Sequence, residues 1–542
     1  MNDLQNTYER IPYPDFCYTQ THPDRLATIG RLLGLDPAPL HACRVLELGC
    51  ASGVNLIPMA ESLPGSEFVG LDFAENQICV GSNAIAELNL SNIRLLVKDL
   101  LDVTPEMGRF DYIIAHGVFS WVPEPVRQKI LQICRQHLAP NGMAYVSYNT
   151  LPGWHMLGAL REMMLYRTRH EQNPHHKVKS ALELMRFLAD TVANGKDASG
   201  TFLGSYGDMI RAYNRFVEEG RQAEKGGNEL LLHDELGAVN KPFYFFEFIK
   251  MARNCGLKYV AEAEFSAVTP KDFSPEVVKQ IQTLAKDTID AEQYMDFLRN
   301  RTFRQTLLCH EANRVNRAVR PEALIDKKFS FATKARDAGK SAVAKKSVAR
   351  YEAPDGTVFA TDHPVTKAAL SHLICVSPLA VPFTDLLTQA RTMVYGTQCV
   401  SKKEADQDQL VLAANLLQAY CYSMQLVELR VGKNLFQRQV NRRPLASPFT
   451  RYQAQRGTRV VNRRHEPVAL DDHVRHLVRY LDGTRDRKDL LNQLTTSALS
   501  GKVQICDKDG NPIIDPKVLR PYLDHELDGI LNWLARSALL VE

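Results

Sequence analysis

The 542-residue chain holds no run approaching the roughly 20 apolar residues that a membrane-spanning helix needs. Its 11 cysteines include no CxxC pair, and no Cys/His spacing of the zinc type occurs. These absences remove the expectation of a membrane protein, a metal site or a disulfide framework. Scattered reduced thiols behave as small apolar residues. Charge of one sign is lacking as well. The 66 basic and 62 acidic residues leave a net +4, too small to mark a nucleic-acid binder. The opening MNDLQNTYERIPYPDF lacks the basic start and apolar run of an export signal, so the cytoplasm is the expected location. What is present is ordinary globular material, 45% apolar and 24% charged, in a chain too long for a single core. Two or three domains are expected.

Between residues 43 and 149 short runs rich in Val, Ile and Leu alternate with stretches at helical spacing, the pattern of βαβ units. CRVLELG (43–49), EFVGLDF (67–73), NIRLLVKDL (92–100), FDYIIAH (110–116) and MAYVSYN (143–149) are predicted strands, apolar enough for a parallel sheet covered on both faces. Residues 54–63, 75–90 and 125–138 are predicted helices, the last halted by Ala-Pro-Asn-Gly. GLKYVAEAEF (256–265) and FRQTLLCH (303–310) add two strands. A first domain is expected over 1–315, with a helical insertion or lid at 155–228 that includes ANGKDASG. Residues 327–350, basic and Ala/Ser-rich, are expected to form a mobile linker or loop. A middle α+β module is placed at 316–430 and a C-terminal winged-helix-like module at 431–542, in which VVNRRHEPVAL reads as one strand.

The sharpest local feature is VLELGCASGVN (45–55), a strand ending in an acid and entering a glycine-bearing turn before a helix. A dinucleotide fingerprint would read GxGxxG, so that a pyrophosphate could approach the helix N-terminus. Only Gly49 and Gly53 are present. That departure suits S-adenosylmethionine, which brings no phosphate but needs carboxylates for its ammonium and ribose hydroxyls. Glu47 is placed for the ammonium, directly or through water. Asp72, ending the second strand, is placed for the ribose, and Asp99, ending the third, for the adenine amino group. The candidate contacts are then Glu47, Gly49, Cys50, Ala51, Gly53 and Asn55 in the loop. Asp72 and Phe73, Asp99 and Leu100, and His116 and Gly117 follow at the next strand ends. Each acid has a plainer reading as an N-cap or turn residue. Three on successive strand ends favour a shared ligand. Cys50 has no basic neighbour in sequence to activate it.

On the acceptor side, Trp121, Tyr148 and Trp154 are candidate aromatic walls, Asn149 a polar orienter, and Tyr13, Tyr18 and His22 second-line candidates in an N-terminal segment over the cleft. Ordinary packing is the competing reading of the aromatics. His116 is either a general base or a buried histidine shaping the loop, the second being preferred. After the fourth strand stands HGVF, not the Asn/Asp-Pro-Pro-aromatic motif of enzymes that methylate amino groups of nucleic-acid bases. A basic cluster, NRRPLASPFTRYQAQRG (441–457) with Arg463 and Arg464, is read mainly as solvated surface.

The runs YPDFCYTQTHPDRLATIGRLLGL, CRVLELGCASGVNLIPMAESLPG, FDYIIAHGVFSWVPEPVR and YVSYNTLPGWHM resemble class I methyltransferases that carry a methyltransferase regulatory domain. LLHDELGAVNKPFYFFEFIKMARNCGLKYVAEAEF (231–265) is similar to that regulatory segment, which is placed at 229–300. The characterised group resembled is the bacterial outer-membrane-protein lysine methyltransferases, whose C-terminal part is winged-helix-like. The resemblance implies an α/β, Rossmann-like seven-stranded sheet of order 3-2-1-4-5-7-6 with FRQTLLCH antiparallel. It also implies S-adenosylmethionine as donor, S-adenosylhomocysteine as product, and a protein lysine as acceptor. A small-molecule methyltransferase stays open, as does a cofactor-binding regulatory protein with a DNA- or partner-binding C-terminal module. No nucleic acid and no membrane is expected as partner, and a homodimer is compatible with the chain.

Overall fold

The alternating apolar runs form a seven-stranded sheet in the computed structural model, which describes residues 13–193, 202–223, 229, 231–326, 329–339, 347–506 and 510–542. After helix α1 (Pro23–Leu32) come β1 (Arg44–Leu48), α2 (Ile57–Ser62), β2 (Glu67–Asp72), α3 (Glu75–Glu87), β3 (Ile93–Val97), β4 (Phe110–Ala115), α4 (Glu124–His137) and β5 (Leu138–Asn149). With β6 (Leu257–Glu262) and β7 (Phe303–His310) the sheet runs β3-β2-β1-β4-β5-β7-β6, and β7 is antiparallel to both neighbours. This is the order the resemblance implied.

Side chains alternate across the sheet, so each strand feeds two cores. From β5, Ala144, Val146 and Tyr148 enter one core with Ile113 and Phe248, while Met143 and Tyr145 enter the other with Tyr112 and Ile114. The helical insertion comprises α5 (Gly153–Thr168), α6 (Pro174–Ala193) and α7 (Phe202–Ala223), built on its own apolar cluster around Leu160, Met164, Leu182 and Ile210. Residues 194–201 and 224–228 of this insertion, and with them most of ANGKDASG, lie outside the described residues. No helix among the described residues is long and apolar enough to cross a membrane.

Two expectations are corrected. Within the supposed linker, Ser330–Ala332 and Ala349–Glu352 are strands, because Phe331, Ala349 and Tyr351 are buried. Residues 327–328 and 340–346 of that run lie outside the described residues. VVNRRHEPVAL is a hairpin of Arg459–Val461 and Pro467–Ala469, not one strand. The Asn462 side chain accepts from the backbone N–H groups of Arg464 (2.9 Å) and Glu466 (3.0 Å), which turns the chain back on itself.

A cluster of charged residues sits beneath the sheet edge, around Arg304. Arg304 on β7 is 1% exposed and lies 3.6 Å from the ring centroid of Phe245. It grips Asp296 with two hydrogen bonds (2.8 and 2.9 Å), Glu262 at 2.9 Å and Glu292 at 3.0 Å. Burial pushes the Glu292 and Asp296 carboxyls upward, against the pull of Arg304. The guanidinium fork thus ties β7 to β6 and to the helix Thr288–Arg299. Arg304→Met leaves Glu292 without its cation and Glu262 and Asp296 with only the more distant Arg301 at 3.7 and 3.6 Å, and should cost about 3–5 kcal/mol. A urea titration reads this as a lowered midpoint at unchanged slope; an unmoved midpoint would show the cluster to be dispensable.

Candidate functional site

The turn after β1 is shaped by glycine for two reasons at once. Gly49 and Gly53 have φ of 75° and 73°, and a Cβ would stand 2.4 Å from Val118 Cγ2 at the first and 2.8 Å from Leu95 Cδ1 at the second. The turn is fastened to the end of β2. The Gly49 and Cys50 N–H groups donate to the Leu71 carbonyl (2.8 and 3.0 Å), and the Ala51 N–H donates to Asp72 Oδ2 (2.8 Å). Asp72 Oδ1 accepts from the Ala74 N–H at 2.9 Å, so one carboxylate sets two loops. Cys50 is buried, and burial pushes its thiol up, with the Asp72 and Glu47 carboxylates adding to the effect. It is chemically quiet.

Behind the turn, Glu47 is 3% exposed. Its Oε1 accepts from Asn55 Nδ2 at 2.7 Å, while its Oε2 is buried with no hydrogen-bond partner among the described residues. Burial raises this carboxyl to about 8, the Asn55 bond opposing and the Asp72 charge adding. Asn55 is a junction. Its Nδ2 also donates to Thr21 Oγ1 (3.0 Å), and its Oδ1 accepts from the Tyr18 N–H (2.9 Å). His465 Nε2 lies 2.9 Å from the same Oδ1.

The N-terminal segment lies across these strand ends. Asp15 meets the Ser52 hydroxyl, Tyr13 donates to Asp234 Oδ2 at 3.4 Å, and the Tyr18 ring rests on His116 with centroids 3.7 Å apart. His116 Nδ1 stands 2.7 Å from the Tyr145 hydroxyl, and burial holds its pKa down to about 3. The Gly117 N–H donates to Ser147 Oγ at 2.8 Å. His22 accepts from the Asp24 N–H at 3.1 Å as the cap of α1, and burial lowers it to about 4. Its ring faces that of His465, with centroids 5.3 Å apart.

The remaining candidates divide. Asp99 is exposed and its Oδ1 accepts from the Leu101 N–H at 2.9 Å, so it serves at least as the N-cap of the turn Leu100–Asp102; Leu100 is buried and Phe73 half-buried. Trp121 and Trp154 meet edge to face, centroids 6.0 Å apart, and Asn149 donates through Nδ2 to Asn240 Oδ1 at 2.9 Å. Tyr148 is not brought to this group. It is 1% exposed, stacked on Phe248 at 4.0 Å with its hydroxyl 3.1 Å from Thr306 Oγ1, in the core on the opposite face from Tyr145. Sheet alternation takes it there, and the wall role expected of it is withdrawn. Sequence reasoning missed Asp15, Ser52, Tyr145, Asp234 and His465. Ser52 lay inside the quoted loop, whereas nothing local marked His465.

Comparison with known proteins fits this geometry. Residues 46–144 match a methyltransferase domain, 227–310 a predicted methyltransferase regulatory domain, and 442–539 the C-terminal winged helix domain of PKMT. The chain is 30% identical over 552 residues to the uncharacterized protein RP789 of Rickettsia prowazekii, covering 99% of this chain and 94% of that one. The structure of PKMT2 from Rickettsia typhi superposes with a TM-score of 0.85 at 28% identity, over 98% of this chain and all of the other. A second structure of PKMT2, in complex with AdoHcy, superposes with a TM-score of 0.83.

Glu47 generates a prediction about stability. The folded chain keeps its proton up to about pH 8, whereas the unfolded chain loses it near the ordinary 4.5. The folded state therefore binds more protons across that window, and this contribution to stability is lost as pH rises through it. Glu47→Gln should flatten the decline of the ligand-free melting temperature between pH 5 and 8. An identical slope in wild type and variant would mean that Glu47 titrates normally.

Proposed function

This chain belongs to the S-adenosylmethionine-dependent methyltransferases that join a methyltransferase domain, a regulatory domain and a PKMT winged-helix domain, and on that footing we propose that its acceptor is the amine of a protein lysine. The observation that carries the acceptor is the likeness to PKMT2 over 98% of the chain, appendages included and not the sheet alone. Short of the acceptor, the donor is settled: the methyl comes from S-adenosylmethionine.

The residues fit that donor. A buried Glu47 Oε2 without a donor among the described residues suits an ammonium, and a Cβ at Gly117 would meet none of the described residues within 4 Å, which leaves space beside the His116 strand end. When bound, the donor supplies a methyl group on a cationic sulfonium. In this proposal Glu47 accepts from the ammonium and Asp72 from the ribose hydroxyls. Asp99 accepts from the adenine amino group, beside Leu100 and Phe73. Gly49, Cys50, Ala51 and Gly53 form the cradle, Asn55 orients Glu47, and Gly117 borders the reacting end. His116 is neutral and too weak a base to take an ammonium proton, so its part is to position Tyr18 and Gly117. Trp121, Trp154 and Asn149 line the acceptor side. A lysine amine, with an ordinary pKa of about 10.4, must be neutral to attack, and enclosure beside a cationic centre favours that form. The chain then has only to align the amine in line with the methyl carbon and exclude water; no covalent intermediate is needed. The division at 315 and 430 is part of the same proposal.

Incubation with methyl-labelled S-adenosylmethionine and fractionated bacterial lysate, followed by amino-acid analysis, tests the acceptor. Label in methyllysine is expected; label confined to small metabolites would overturn it. Asp72→Ala should weaken S-adenosylhomocysteine binding by roughly 10- to 100-fold in calorimetry, the size of a lost charge-assisted hydrogen bond. Unchanged affinity would remove Asp72 from the site.

A further inference from the structure

We propose that His465 of the C-terminal module is a positioning residue of the cofactor site, acting through Asn55 on Glu47, so that a module remote in sequence completes the site. The proposal rests on the reading of Glu47 as the acid that receives the cofactor ammonium.

The hydrogen bonds allow one arrangement. Asn55 Oδ1 is fixed as the oxygen because the Tyr18 backbone N–H, which can only donate, points at it from 2.9 Å. His465 Nε2, 2.9 Å from that oxygen and 410 residues away in sequence, must therefore carry its hydrogen and donate. Burial, with the neighbouring His22, holds the His465 ring well below the ordinary histidine range, so it donates as a neutral imidazole. With Oδ1 held by two donors, Nδ2 is turned toward Glu47 Oε1 at 2.7 Å and Thr21 Oγ1 at 3.0 Å. The orientation of the buried acid is set by an amide clamped from both ends of the chain.

His465 is itself held. Its φ is 60°, the left-handed region that a residue with a Cβ rarely adopts, at the turn closed by Asn462. Its carbonyl accepts from Thr19 Oγ1 at 2.7 Å, three residues before the cap of α1. The adjoining residues fasten the module to α2, the helix that follows the glycine turn. Glu61 accepts from the Phe449 N–H (2.7 Å) and from Arg463 (2.8 Å). Arg464, 3% exposed, pairs with Glu428 and, at 3.3 Å, with Glu466. Neighbouring charges thus lock the hairpin at a fixed distance from Asn55, and a donor placed so rigidly at a junction of the site has a use beyond packing.

His465→Gly removes the imidazole, keeps the carbonyl that Thr19 uses and relaxes the left-handed backbone, so the fold is not placed at risk. S-adenosylhomocysteine affinity, measured by calorimetry on the full chain, should fall about tenfold, as for one lost hydrogen bond and the disorder it releases. Turnover at saturating S-adenosylmethionine should change less than twofold, the ligand-free melting temperature should not fall, and His465→Gln, which restores an N–H donor of similar reach, should recover most of the affinity. Wild-type affinity in His465→Gly, alongside weakened binding in Asp72→Ala, would overturn the relay alone; wild-type affinity in both would overturn the site reading and the relay with it. A fall in both affinity and melting temperature that His465→Gln does not recover would mark a merely structural histidine, and would also overturn the proposal.

Discussion

A carboxylate taken out of water is the constraint on which this structure turns. Glu47 sits at the end of a central strand, closed in by the glycine turn, with one oxygen held by Asn55 and the other left without a donor among the described residues. A buried acceptor without a partner is costly. Keeping the proton until about pH 8 is how the ligand-free protein meets that cost; in the proposed function the cofactor ammonium relieves it. The surrounding features follow from this need. The glycines let the backbone close up, Asp72 ties the turn to the next strand, and the N-terminal segment covers the opening with Tyr18 and Asp15.

Charge in this chain joins parts of the fold more than it faces outward. Nearly balanced totals of acids and bases hide a set of specific pairs: Arg430 with Asp24, Arg463 with Glu61, Arg464 with Glu428, Arg456 with Glu87 and Arg304 with its three acids. All but the exposed Arg456–Glu87 pair are buried; buried pairs add little net stability, yet breaking one leaves a stranded charge, so they select one docking geometry over others. The basic stretch at 441–457 and the two arginines after it read as solvated surface in the sequence. In the structure Arg456 and Arg463 reach Glu87 and Glu61 of the sheet domain, while Arg464 pairs with Glu428 and with Glu466 of its own hairpin.

Much of the sheet was legible because parallel strands covered on both faces are apolar throughout and the helices between them keep their own period. The glycine turn with its acid was legible because both glycines answer a local backbone demand. Tyr148 was misplaced although its parity was readable: alternation sets it opposite Tyr145, but the sequence does not say which face of the strand end stays open. The turn at 462–466 carried Asn, His and a following Pro, signals that were read through as a strand. Composition misled at 327–350, where basic and small residues concealed the alternating Phe329 and Phe331, both buried, and a strand that begins at the buried Ala349. His465 had no local signature. Its role exists only once a hairpin 410 residues downstream docks against Asn55, and no spacing rule reaches that far.

The central claim is that Glu47 gives up its proton to receive the cofactor ammonium. Calorimetric titration of S-adenosylhomocysteine at pH 7, in buffers of differing ionisation enthalpy, counts protons exchanged on binding. The account predicts a release approaching one proton in the wild type and close to none in Glu47→Gln. A binding heat independent of buffer in the wild type, or an equal release in the variant, would contradict it.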